Sequence, residues 1–138
     1  MDVSIYGTEI NILAVLAATL LFMVIGALWY SPVLFSKPWM KYVGKTEDQL
    51  NSSPAMYVIP TVGGLVLALT LAYLIGATNA YTLVGALRIA IATWGGFVFT
   101  STFINTTFSG RHWKLALIDS GYFLVSTLLM AVIFHYWK

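Results

Sequence analysis

Asp119 is the residue in this sequence with the greatest chemical potential. It lies in the stretch 104–126, where a basic turn, Arg111-His112-Trp113-Lys114, runs into an almost purely apolar segment. A carboxylate within an apolar helix has to be neutralised, paired or hydrated, because hydrocarbon penalises an unpaired charge heavily. Counting from the turn puts Asp119 roughly 7 Å into the helix. Three placements are open to it, exposure to lipid and the two that follow. In the first it sits at the water boundary and caps the adjacent cluster of Arg111, His112 and Lys114, helped by the positive end of its own helix dipole. In the second it faces an internal polar pocket and holds a proton, a cation or a headgroup.

Helical spacing names the companions of the second placement. Asp119, Tyr122 and Ser126 follow i, i+3, i+7 and share one helix face. At a matching depth the preceding helix offers Ser101 and Asn105, and the first helix offers Tyr30. A polar cluster of these six residues is expected, each group satisfying another. Arg88 is too far along its helix to join them, about 20 Å from the level of Ser101. It stands near the positive end of its own helix, which disfavours a cation and calls for a carboxylate. Glu9 is the expected partner.

Other chemistries find no support. The chain has no cysteine, which removes thiolate metal sites, disulfides and thiol catalysis. His112 and His135 belong to opposite ends of one helix and have no further ligand at suitable spacing, so no metal is expected. There is no phosphate-binding glycine loop and no nucleophile–base arrangement. The chain is therefore expected not to be an enzyme and to carry no cofactor. Its seven basic residues are scattered and the net charge is only +2, so nucleic acid is not an expected partner.

The elements that position Asp119 follow from hydropathy. Of 138 residues, 59% are hydrophobic and 9% charged, against about 25% charged in soluble domains. Lipid is the indicated solvent. Four uncharged or nearly uncharged stretches, at about 10–30, 56–75, 83–104 and 115–136, are each long enough to cross a hydrocarbon core of roughly 30 Å. The expected fold is an all-α integral membrane protein, a single four-helix bundle. Residues 31–55, between the first two spans, supply a short interfacial segment. There Ser31-Pro32 is expected to start a helix, Pro38 to prevent a long one, Thr46 and Gln49 to form a capping box, and residues 51–54 to turn into the second span. Pro60 is expected to kink that span.

Lys37, Lys41 and Lys45 in one loop and Arg111 and Lys114 in the other outnumber the basic residues at the opposite end. The positive-inside rule then places both loops in the cytoplasm and both termini outside. Lys37, Trp39, Lys41, Arg111, Trp113 and Lys114 make a basic-aromatic surface suited to lipid headgroups. Residues 35–41 and 108–114 also resemble one another, as a parallel repeat of two helix pairs would. Small residues such as Ala14, Ala18, Gly26, Ala68, Gly95 and Gly121 permit close helix packing and self-association into a homo-oligomer.

Two stretches carry a resemblance. Gly26-Ala27-Leu28-Trp29-Tyr30-Ser31-Pro32, with Leu34-Phe35 and Lys37-Pro38-Trp39-Met40, is the first. Phe108, Gly110-Arg111 and Trp113, with Leu115, Ile118 and Gly121-Tyr122, is the second. Together they resemble the bacterial family called domain of unknown function 1761, over about residues 11–133. The resemblance implies a small four-span inner-membrane protein and implies no reaction and no catalytic residue. Three functions are carried forward: a transporter-like or ion- or proton-handling protein using Asp119, a non-catalytic scaffold or accessory subunit, and a binder of anionic lipid. Its expected surroundings are the lipid bilayer and a small-molecule or ion substrate of unassigned identity.

Overall fold

The computed structural model describes residues 1–50 and 53–138. Four helices in it are long and apolar enough to cross a membrane. They are α1 (Ile12–Trp29), α3 (Ala55–Ala77), the continuous rod Leu83–Phe108 and α6 (Trp113–Tyr136). The rod is made of α4 (Leu83–Thr93), a π-helical segment (Trp94–Phe99) and α5 (Thr100–Phe108). A short α2 (Ser36–Val43) and a 3₁₀ turn (Glu47–Gln49) lie between α1 and α3.

The all-α expectation needs one correction. The N-terminal residues form an antiparallel hairpin, β1 (Asp2–Ile5) and β2 (Thr8–Asn11), in the register Val3↔Ile10, Ser4↔Glu9 and Ile5↔Thr8. Its two-residue turn, Tyr6-Gly7, has φ of 48° and 81°. Left-handed geometry at both positions matches the right-handed twist of a hairpin, and glycine adopts it without strain. Alternation puts Thr8 and Ile10 inside, where β2 packs on α3, and Glu9 outside. The first helix thus starts at Ile12, later than apolarity alone suggested. Asn11 caps it, its side-chain oxygen accepting from Leu13 N (3.0 Å) and Ala14 N (3.3 Å).

One core cluster joins β2, α1, α3, α4 and α6: α1 runs antiparallel to α6, with α3 packed chiefly on α1 and α4 chiefly on α6. α1 buries Ala14, Val15, Ala18, Thr19, Phe22 and Ile25, and α3 buries Gly64, Ala68, Leu71 and Ile75. Both are stripes of helical period rich in small side chains, which let the backbones approach. Gly64 is one such position: a Cβ there would lie 2.6 Å from the Phe22 ring. The outward stripe of α1, Leu13, Leu16, Leu20, Val24 and Leu28, is equally apolar and exposed. A helix hydrophobic all round is one that meets apolar surroundings on every side.

The segment after α1 departs from the expected helix start at Ser31. Residues 31–35 form turns, with Phe35 N bonded to Trp29 O (2.9 Å), Ser36 N to Ser31 O (3.1 Å) and Ser31 Oγ to Leu28 O (2.7 Å). Helix α2 begins only at Ser36, and Pro38 falls in its first turn, where a missing N–H breaks no helical bond. Gln49 does bond back to Thr46 N (3.0 Å). Of the turn expected over 51–54, Asn51 and Ser52 lie outside the described residues. α3 runs through Pro60 without a break in the helix.

Candidate functional site

The site is at the end of the bundle where α1 finishes and α6 begins. Asp119 Oδ1 accepts two hydrogen bonds, from Tyr30 Oη at 2.7 Å and from Trp39 Nε1 at 3.2 Å. Tyr30 is the cap residue ending α1, and Trp39 sits on α2. The turns over 31–35 fold α2 back towards α6, and the Phe35 ring packs on Trp29 (4.6 Å between centroids) to hold that fold. Trp39 then meets Tyr30 edge-on at 5.8 Å, and Tyr30 meets Tyr122 edge-on at 5.6 Å.

Indole groups anchor the backbone on either side. Trp29 Nε1 donates to Ile118 O (2.9 Å) and Trp94 Nε1 to Ser120 O (2.7 Å). With Trp39 on Asp119, three consecutive residues of α6 each accept an indole N–H, from three different elements. A helical carbonyl has a second lone pair for such a bond, and a buried indole N–H needs an acceptor. Trp94 opens the π-helical segment, a geometry that recurs at functional sites.

Two glycines make room. A Cβ on Gly121 would be 3.1 Å from the Trp29 ring, and one on Gly26 would be 2.9 Å from Tyr122 Oη. Tyr122 passes over Gly26 to donate to Phe22 O at 2.9 Å.

Below this frame lies a cavity of about 820 Å³, walled by Tyr30, Trp39, Met56, Pro60, Asn105, Arg111, Asp119 and Tyr122 among others. Its walls come from α1, α2, α3, α5 and α6. Pro60, having no N–H, leaves the carbonyl of Met56 without its helical donor on the same wall. Arg111 shares the cavity with Asp119, and its Nε is bonded to Ser109 Oγ (3.0 Å). Asp119 is therefore hydrogen-bonded by neutral donors, and Arg111 of its basic turn acts on it electrostatically without a direct ion pair: the one ion pair among the described residues joins the N-terminal amine to Asp2. Asp119 Oδ2 has no hydrogen-bond partner among the described residues. A carboxylate with one oxygen fixed and the other unengaged, on a cavity wall, can take a proton or a cation.

The expected polar cluster assembles only in part. Tyr30 bonds to Asp119, and Tyr122 and Asn105 line the cavity. Ser101 does not join: it is exposed and its hydroxyl bonds to Phe97 O and Val98 O of its own helix. Ser126 is fully buried, and its hydroxyl has no partner among the described residues. Arg88 and Glu9 form no ion pair; both are exposed, Glu9 being turned outward by strand alternation. Of the expected headgroup surface, Lys37, Lys41, Arg111, Trp113 and Lys114 are exposed, whereas Trp39 turns inward to Asp119. Lys41 and Lys114 both stand near the Tyr42 ring, at 5.8 and 5.7 Å, and His112 stacks on it at 4.5 Å. Trp29 and Trp94 were not foreseen as donors to α6. The available signal was a Trp within an apolar run, which has an N–H to place.

No curated protein and no solved structure matches this chain. Residues 13–135 match the profile of a protein family described as protein of unknown function (DUF1761).

Proposed function

We propose, from the premise that this chain belongs to the DUF1761 family of proteins of unknown function, that it is a transporter-like membrane protein that binds a proton or small cation at Asp119. In this reading the four long helices span a bacterial inner membrane, with the loops 31–55 and 105–114 in the cytoplasm, both termini outside, and copies able to associate. The observation that carries it is the Asp119 carboxylate on a cavity wall, fixed through one oxygen by Tyr30 and Trp39. Two neutral donors orient the group without neutralising it, and Arg111 on the same cavity forms no direct ion pair with it, so a proton or cation can still bind. An intramembrane carboxylate facing a cavity marks ion and proton pathways in membrane proteins generally.

The test is charge movement in proteoliposomes on a solid-supported membrane after jumps of Na⁺, K⁺, H⁺ and tetramethylammonium. The wild type is expected to respond to at least one, and Asp119→Asn to none. Identical traces from the two proteins across the panel would sink the reading.

A second reading has its own observation. Lys41 and Lys114 converge on Tyr42 at the bundle surface, an arrangement suited to anionic headgroups. A Lys41→Gln/Lys114→Gln protein that binds phosphatidylglycerol as the wild type does, at every salt concentration, would count against it.

A further inference from the structure

The Asp119 cavity is not closed. Gly63 and Phe123 line both it and a second cavity of about 450 Å³, which runs between α3 and the segment Trp94–Phe99. The second is lined by Val66, Thr70, Leu74, Phe97 and Val98 and is apolar. The space beside Gly63 is open, since a Cβ there would meet no heavy atom within 4 Å among the described residues. A chamber holding a carboxylate and a guanidinium therefore continues into an apolar groove along the flank of the bundle. From Gly63 to Leu74 the groove follows α3 for about 16 Å, close to half of a hydrocarbon core of roughly 30 Å.

The two ends select opposite chemistries. Asp119, beside the rings of Tyr30, Trp39 and Tyr122, suits an ammonium group by charge and by cation–π attraction. Arg111 on the same wall suits a phosphate. The groove suits an alkyl chain. We propose that cavity and groove together hold one membrane phospholipid with an ammonium–phosphate headgroup, an acyl chain lying between α3 and Trp94–Phe99. This rests on the reading of Asp119 as a ligand-facing carboxylate and names the ligand class. A proton or compact cation engages Asp119 alone, whereas a lipid also engages Arg111 and the groove. A purely anionic lipid would set a phosphate near Asp119 with no positive group to offset it.

Native mass spectrometry of the full chain, with phosphatidylethanolamine and phosphatidylglycerol added separately and in competition, tests the proposal. The wild type is expected to retain one phosphatidylethanolamine through detergent exchange, in preference to phosphatidylglycerol. Asp119→Asn and Arg111→Gln are each expected to weaken retention by about tenfold, the scale of a hydrogen bond to a charged group. Val66→Trp, which fills the groove far from both charges, is expected to weaken it without altering the headgroup preference. Equal retention of the two lipids by the wild type, or undiminished retention by all three variants, overturns the proposal. If the lipid is not retained but the wild type still shows an Asp119-dependent charge movement, the lipid proposal falls and the cation reading stands. If both measurements fail, both fall.

Discussion

Tyr30 donates its hydroxyl proton to Asp119 Oδ1 across 2.7 Å, tying the end of α1 to the second turn of α6 over 89 residues of sequence. The bond is charge-assisted and half-buried. It should couple the two residues energetically. In detergent-solubilised protein, Tyr30→Phe and Asp119→Asn should each destabilise, and the double variant should lose less than the sum. A coupling of about 0.6–2 kcal/mol is expected, the range of interhelical hydrogen bonds in membrane proteins. A double-mutant cycle on unfolding free energy measures it, and strict additivity would mean that the bond contributes nothing.

Gly26→Ala should destabilise by about 1–3 kcal/mol, because its Cβ would come 2.9 Å from Tyr122 Oη. Removing that oxygen should relieve the tightest contact and leave the ring carbon at 3.2 Å. Gly26→Ala/Tyr122→Phe is therefore expected to unfold at a higher temperature than Gly26→Ala alone. The reverse order would place the conflict elsewhere.

The indole anchors can be removed one at a time. Trp29→Phe and Trp94→Phe keep an aromatic ring and lose the N–H to Ile118 O and Ser120 O. Each should cost about 0.5–1.5 kcal/mol. Gly96→Ala, in the same segment as Trp94, has no heavy atom within 4 Å of its new Cβ among the described residues. It should leave the melting temperature unchanged or raise it, since alanine stiffens a helix that glycine loosens.

Arg88 and Glu9 offer the opposite expectation. Both are exposed and unpaired with each other. Arg88→Gln and Glu9→Gln should each shift stability within about 0.5 kcal/mol and be additive when combined. A measured coupling near that of a buried ion pair would contradict the structure.

Orientation is testable because the chain has no native cysteine. Single cysteines at Lys45 and at Thr78, labelled in intact cells with a membrane-impermeant maleimide, should differ. The proposed topology expects label at Thr78→Cys only; label at Lys45→Cys only would invert it.

Legibility differed from element to element. The four long helices were readable because each needs only an uninterrupted apolar run of sufficient length, a property local to the stretch. The hairpin was less visible. Its alternation of Val3, Ile5, Thr8 and Ile10 about Tyr6-Gly7 is short, and the apolar run of α1 begins inside it. The start of α2 at Ser36 rather than Ser31 depended on turns closed by backbone bonds to α1, which no cap pattern encodes.

The candidate site divides in the same way. Helical period alone placed Asp119 and Tyr122 on one face, and depth alone brought Tyr30 level with them. Depth also suggested Ser101, but facing was not a matter of depth. The π-helical turn between Trp94 and Phe99 changes the rotation per residue, so α5 does not keep the phase of α4, and Ser101 satisfies itself on its own helix. Ser126 kept its helix phase and entered the core with no hydrogen-bond partner among the described residues. Thus composition, the four apolar helices and the presence of one costly carboxylate follow from the chain as written, because they depend on residue type and spacing. Which groups answer that carboxylate was settled only by tertiary structure. Tyr30 and Trp39 lie 89 and 80 residues away, and only the crossing of α1 with α6 and the fold-back of α2 bring their donors within bonding distance.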